Sequence, residues 1–158
     1  MLKFSVSALE KAPVTRRGEL DAGFLDLDTG DIFTPAGAVK FDLTARLVSG
    51  GVLLSGGCSC LMRTTCGKCL KEFDFLLEAP DLHIFFELEE NQEELDTADD
   101  VRAELLLELP MNPLCDPDCP GLCPVCGIDR NHGTCSCNTA EAAEKVSPWS
   151  ALENLKLD

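Results

Sequence analysis

The chain has 158 residues, 45% of them hydrophobic, and 13 Lys and Arg against 28 Asp and Glu give it a formal charge of −15. That length and apolar content allow one compact domain or two small ones with a real core, while the negative charge disfavours a broad phosphate-binding face of the usual basic kind. Nothing approaches the run of about 18 apolar residues that a membrane helix needs, and Met1-Leu2-Lys3-Phe4-Ser5 lacks a secretion-signal core, so a soluble cytoplasmic protein is expected.

In chain order, Leu2, Phe4 and Val6 alternate with polar residues, and Phe24-Leu25-Asp26-Leu27-Asp28 reads as a further short strand. Between them Arg16-Arg17-Gly18 and Thr29-Gly30-Asp31 read as turns. Val39, Phe41, Leu43, Ala45 and Leu47 alternate with Lys40, Asp42, Thr44 and Arg46, the period-2 signature of a half-buried strand. Gly50-Gly51 turns that strand into a second one, so that 39–64 forms a hairpin that delivers the chain to Cys66. Cys58 and Cys60 share one face of its second strand. Phe73-Asp74-Phe75-Leu76-Leu77 and, after Pro80, His83 to Leu88 predict two more strands.

Glu87 to Glu108 carries ten acidic residues and Arg102 as its one base, and Glu89-Glu90-Asn91-Gln92-Glu93-Glu94 reads as a solvated, mobile linker or a docking surface for a basic partner. Asp99 or Asp100 can cap a helix over Val101 to Leu109 that Pro110 ends, and Ser147-Pro148 opens a short helix carrying Trp149, Leu152 and Leu155. The expected class is α+β and β-rich: an antiparallel sheet or partly open barrel in the N-terminal two thirds, with a short helix and a metal-stabilised Cys-rich C-terminal module. The corresponding division is 1–97, a β domain with a Cys-x-x-Cys knuckle, and 98–158, helix, Cys-rich module and closing helix packing on the first part.

Chemistry resides in the ten cysteines, six of which lie between 115 and 137. In Cys123-Pro124-Val125-Cys126-Gly127 the proline fixes φ and the glycine tolerates φ > 0 just after the second thiol, so both sulfurs point into one hollow. Tetrahedral zinc takes four sulfurs at about 2.3 Å, usually as two such pairs. Cys135 and Cys137 are the nearest second pair, giving a site from Cys123, Cys126, Cys135 and Cys137. Cys115 and Cys119 need a partner pair upstream. Cys66 and Cys69 are preferred, because their two-residue gap repeats the knuckle and Gly67 supplies a permissive backbone. Cys58 and Cys60 are the alternative, as partners of that pair, as ligands with Cys66 and Cys69, or as buried small apolar residues. A disulfide framework or a thioredoxin-like redox motif fits the spacing less well.

Catalysis finds little support. His83 sits in a strand pattern, His132 lies inside the cysteine loop where it could substitute as a ligand, and no Ser/His/Asp or Cys/His set is visible. An all-cysteine site is closed, which makes a structural metal and a non-enzymatic protein the expectation. The one basic concentration, Arg63, Lys68 and Lys71, is either ordinary surface charge or a cation-flanked knuckle for RNA or another partner, which Arg16, Arg17, Arg130 and His132 would extend.

Three stretches carry a family resemblance: Cys66-Gly67-Lys68-Cys69-Leu70-Lys71-Glu72-Phe73; Glu104 to Cys115 through Leu109-Pro110-Met111-Asn112-Pro113; and Cys119 to Gly127 with Cys135-Ser136-Cys137, followed by Ser147-Pro148-Trp149. In order and spacing over 39–157 the chain resembles the cysteine-bearing YceD-type proteins, named for accumulation of large-subunit ribosomal RNA. The resemblance implies a bacterial cytoplasmic factor needed for the synthesis, processing or accumulation of that RNA. The motif residues it matches are Cys66, Cys69, Cys115, Cys119, Cys123, Cys126, Cys135 and Cys137; Cys58 and Cys60 depart from the pattern. The expected partners are a pre-ribosomal particle, through large-subunit rRNA or a basic ribosomal or assembly protein, with no membrane and no small-molecule substrate. From a different class, a redox-responsive zinc-binding regulator would release metal on thiol oxidation.

Overall fold

The structure is a computed structural model that describes residues 2–27 and 32–137. Its elements are β1 (Lys3–Ser5), α1 (Val6–Leu9), β2 (Val14–Leu20), a 3-10 turn (Ala22–Leu25), β3 (Phe33–Pro35), β4 (Val39–Val48), β5 (Gly51–Thr65), β6 (Glu72–Glu87), β7 (Glu94–Asp96) and α2 (Ala98–Leu107). The β-rich, antiparallel class expected from the sequence is the one observed. Among the described residues no helix is long and apolar enough to cross a membrane. The helix expected from Ser147 lies outside the described residues.

Strand β5 is the spine of the main sheet. It pairs along one edge with β4 and then β3, and along the other with β6. Its even-numbered side chains Val52, Leu54, Cys58, Cys60 and Met62 are buried, as are Val39, Leu43 and Ala45 of β4. Burial on β6 switches phase, from Leu77 and Ala79 to Leu82, because β6 spends one residue more than β5 between the Cys58↔Ala79 and Gly56↔Leu82 pairs. The sequence break at Pro80 is therefore a bulge in one continuous strand rather than a boundary between two. A bulge leaves one residue outside the ladder, and that is where a residue without an N–H fits. Opposite it, Gly56 has φ +142°, and a Cβ there would lie 2.1 Å from the Asp42 carbonyl oxygen.

Four further local expectations are corrected. Arg16, Arg17 and Gly18 form no turn but the middle of β2, paired with Leu43, Asp42 and Phe41. An edge strand exposed along most of its length needs no apolar alternation, and Gly18 leaves room for the Phe41 ring. Phe24 and Leu25 lie in a 3-10 turn rather than a strand, because the Asp21 carboxylate accepts from Gly23 N at 2.9 Å and turns the chain. Helix α2 begins at Ala98, whose N–H donates to Asp96 Oδ1, so Asp99 and Asp100 fill its first turn instead of capping it. The acidic segment 89–94 is no open linker: Gln92 accepts from Glu89 N and donates to the Glu94 carbonyl, and Val6 N donates to Glu93 O at 2.9 Å.

β7 then pairs with β1, placing Leu95 opposite Phe4, and Thr97 Oγ1 donates to the Leu2 carbonyl at 2.9 Å. Leu2, Phe4, Leu95, Val101 and Leu105 join the buried core of the sheet.

The chain separates into two compact units, the first comprising Met1–Thr65 and Glu72–Pro113, the second Cys66–Lys71 and Leu114–Asp158. A single boundary at residue 97 does not describe this division. Helix α2 packs against β6 and the 3-10 turn within the first unit, whereas the loop between β5 and β6 belongs with the downstream cysteines.

Candidate metal centres

Two turns of the second unit share one backbone pattern. In the first, Leu70 N donates to Cys66 O at 3.0 Å and Cys66 N to Lys71 O at 2.9 Å. In the second, Gly127 N donates to Cys123 O and Cys123 N to Ile128 O, both at 2.8 Å. The residue after the second cysteine is left-handed in each, Leu70 at φ 60° and Gly127 at φ 74°. The permissive position of the first knuckle is thus Leu70 and not Gly67. The spacing Cys-x-x-Cys produces this turn because the chain must reverse within four residues to aim two sulfurs at one point.

These knuckles gather two clusters. The sulfurs of Cys66, Cys69, Cys115 and Cys119 lie within 4.8 Å of one another, as do those of Cys123, Cys126, Cys135 and Cys137. A regular tetrahedron with sulfurs about 2.3 Å from its centre has edges of about 3.8 Å, and the Cys66–Cys119 and Cys69–Cys115 sulfurs are 3.9 and 3.6 Å apart. Cys115 and Cys119 are set by a turn in which Cys119 N donates to Asp116 O and Asp118 N to Asp116 Oδ1. Each four-cysteine group can hold one metal ion. All ten cysteines are free thiols.

In each cluster one thiol is pulled down and another pushed up. Burial pushes Cys66 up, but the backbone N–H groups of Cys115, Cys69 and Lys68 outweigh it and bring the thiol down to about 6. The N–H groups of Cys126 and Val125, with smaller help from Cys135 and Arg130, likewise bring Cys123 to about 6 against burial. Burial and the neighbouring sulfurs of Cys69 and Cys119 push Cys115 up to about 12. Cys137 rises to about 12 through its contact with Cys126 and through burial. The knuckle amides thus prepare one thiolate per cluster, while burial and neighbouring sulfurs oppose ionising Cys115 and Cys137 unless a cation joins them.

Burial makes the same point. Among the described residues of the second unit the buried side chains are those of Cys66, Cys69, Cys119 and Cys123, and no larger apolar side chain is buried. The interior of its described part is sulfur.

Cys58 and Cys60 join neither cluster. Both are buried in the core of the sheet, and Cys60 Sγ donates to the carbonyls of Gly37 and Leu61. Burial pushes Cys58 up to about 11 and also raises Cys60. They read as the buried small residues that the strand alternation allowed. Neither histidine joins a cluster: His83 is an exposed strand residue, and His132 Nε2 lies 3.9 Å from Asp129 Oδ2.

Arg63 is engaged by Asp74, at 2.7 and 3.1 Å, in the first unit, while Lys68 and Lys71 stand on the knuckle of the second. Arg16 lies over the Phe4 ring and Arg17 pairs with Asp42 at 2.8 Å. Three residues of the site take roles that the sequence did not assign to them: Gly121, Arg130 and Asn131. Gly121 (φ +71°) passes so close to the first knuckle that a Cβ would sit 2.8 Å from Lys68 O. Arg130 is raised chiefly by its hydrogen bond to Cys123, and Asn131 Nδ2 donates to Cys119 Sγ at 3.5 Å. The glycine two residues before Cys123 carried the only readable signal, and it does not identify Lys68 as the neighbour.

Uncharacterized proteins of Mycobacterium bovis and of two Mycobacterium tuberculosis strains are each 34% identical over 104 residues, covering 57% of this chain and 50% of the relative. The chain spans about half the length of these curated relatives. No solved structure matches it. The family model described as "Large ribosomal RNA subunit accumulation protein YceD" matches residues 76–156, just over half of the chain, and takes in the six cysteines from Cys115 to Cys137 while leaving the first knuckle outside. On that match the chain belongs to the YceD family.

Proposed function

We propose that this chain is a non-enzymatic, cytoplasmic factor in large-subunit ribosome production, acting in the synthesis, processing or accumulation of large-subunit rRNA. The family match carries this reading. Its β-rich first unit is a platform, and its second unit is folded around two structural zinc ions, one held by Cys66, Cys69, Cys115 and Cys119, the other by Cys123, Cys126, Cys135 and Cys137. The sulfur interior and the tetrahedral edge lengths support zinc over any ligand set with an open position. Each loaded site adds a charge of about −2 to a chain already at −15. Contact with the pre-ribosomal particle therefore runs through a basic ribosomal or assembly protein in preference to bare RNA.

The test is sedimentation of the tagged protein from gently lysed cells, with fractions probed for the protein and for precursor large-subunit rRNA. Co-migration with the precursor particle is expected. A protein confined to the top of the gradient, in cells whose large-subunit rRNA is unchanged by its deletion, overturns the reading. Native mass spectrometry of the purified protein should show two zinc ions per chain.

A further inference from the structure

The loop that joins the two halves of the second centre reaches into the first. Asn131 lies between Cys126 and Cys135, yet its Nδ2 donates to Cys119 Sγ, a ligand sulfur of the first centre, at 3.5 Å. The amide is held in place from the other side, with Nδ2 also donating to Asp129 Oδ1 at 2.7 Å and Asn131 N to the same oxygen at 2.9 Å. Asp129 is itself fixed by its own turn, its carbonyl accepting from His132 N and Gly133 N at 3.2 and 3.0 Å. It also bridges to Leu122, whose N–H donates to Lys68 O of the first knuckle at 2.9 Å. Arg130 N completes the link on Gly121 O at 3.0 Å.

We propose that Asn131 is a positioning residue through which the second centre, once loaded, organises the first, so that the two centres take up metal as a coupled pair. The inference rests on the reading that both clusters bind zinc. An Asx turn alone does not account for this side chain. The turn is closed by the Asp129 carboxylate and the Asn131 backbone N–H, and of the two Nδ2 hydrogens one goes to that carboxylate and the other to the sulfur. A neutral N–H aimed at a metal-bound thiolate offsets part of its charge and fixes its direction, and loss of such outer contacts typically weakens metal binding 10–100-fold.

Order of loading follows from chain length. The sulfur pairs of the first centre join residues 46 and 53 positions apart, whereas the second closes entirely between 123 and 137. Closing the longer loop costs more entropy, so the local centre forms first and presents Asn131 and Leu122 to the distant one.

The test uses the full chain and zinc itself, titrated against a chromophoric chelator of known affinity. Wild type should bind two ions per chain. Asn131→Ala should still bind two, with the weaker ion released about 10-fold more readily. Asn131→Asp keeps the shape but turns an acceptor toward the sulfur, and should lose more than Asn131→Ala. In a Cys66→Ser/Cys69→Ser background, which retains only the second centre, Asn131→Ala should change affinity less than twofold. In a Cys123→Ser/Cys126→Ser background the first centre should already be weakened about 10-fold, and Asn131→Ala should add nothing. Circular dichroism of the sheet serves as the folding control. Two tightly held ions whose release is unchanged in Asn131→Ala, or an equal effect on the isolated second centre, overturns the coupling and leaves the metal reading intact. A wild type that binds fewer than two ions sinks the metal reading and the coupling with it.

Discussion

Gly121 and Gly127 are both left-handed, at φ +71° and +74°, but they are surrounded differently. A Cβ on Gly127 meets nothing within 4 Å, while one on Gly121 sits 2.8 Å from the Lys68 carbonyl oxygen. Gly127→Ala should therefore cost only the left-handed penalty, about 1 kcal/mol, a cost that Leu70 at φ 60° already bears in the other knuckle. Gly121→Ala must add a backbone shift at the first knuckle, and about 3 kcal/mol is expected. Urea unfolding of the zinc-loaded protein, followed by zinc release, checks both. Equal costs would mean that the close approach of Gly121 to Lys68 is not part of the folded state. The role of Gly127 was legible in the sequence because Cys-x-x-Cys-Gly states the turn chemistry directly. That of Gly121 was not, since its partner lies 53 residues away in the chain, and Asn131 was illegible for the same reason: its hydrogen bond crosses from one ligand loop to another.

At the scale of elements, the sequence speaks clearly where one face is buried and the other wet. The alternation over β4 and the even-numbered burial along β5 follow from that condition. β2 was missed because it is an edge strand with polar residues on both faces, and β6 was read as two pieces because a bulge at Pro80 shifts its phase. The same alternation decides between the two roles open to Cys58 and Cys60. Both point into the sheet core and neither reaches a cluster, so Cys58→Ala and Cys60→Ala should each destabilise the sheet by about 1 kcal/mol, the cost of a small core deletion. Both variants should keep two zinc ions per chain. Loss of an ion from either, measured by native mass spectrometry, would return the strand thiols to the ligand set.

For the molecule as a whole, the two units differ in what holds them. The first unit buries a continuous apolar core that runs from Leu2 and Phe4 through Leu43, Leu54 and Met62 to Val101 and Leu105. Burying each such side chain contributes about 1.5–3 kcal/mol, and nothing in that core depends on a metal. The described part of the second unit buries cysteines and no large apolar side chain, so on the proposed zinc reading conformational entropy there would be offset chiefly by ligation, with metal binding and folding one event. Removing zinc with a strong chelator under reducing conditions should therefore leave the β-sheet signal in far-ultraviolet circular dichroism and its cooperative thermal transition in place. The stretch from Leu114 to Cys137 should meanwhile become open to limited proteolysis, with protection restored when zinc is added back. Cleavage between 114 and 137 that is equally slow with and without zinc would show that this unit folds on its own, and a sheet transition that vanishes with the metal would show that the first unit does not.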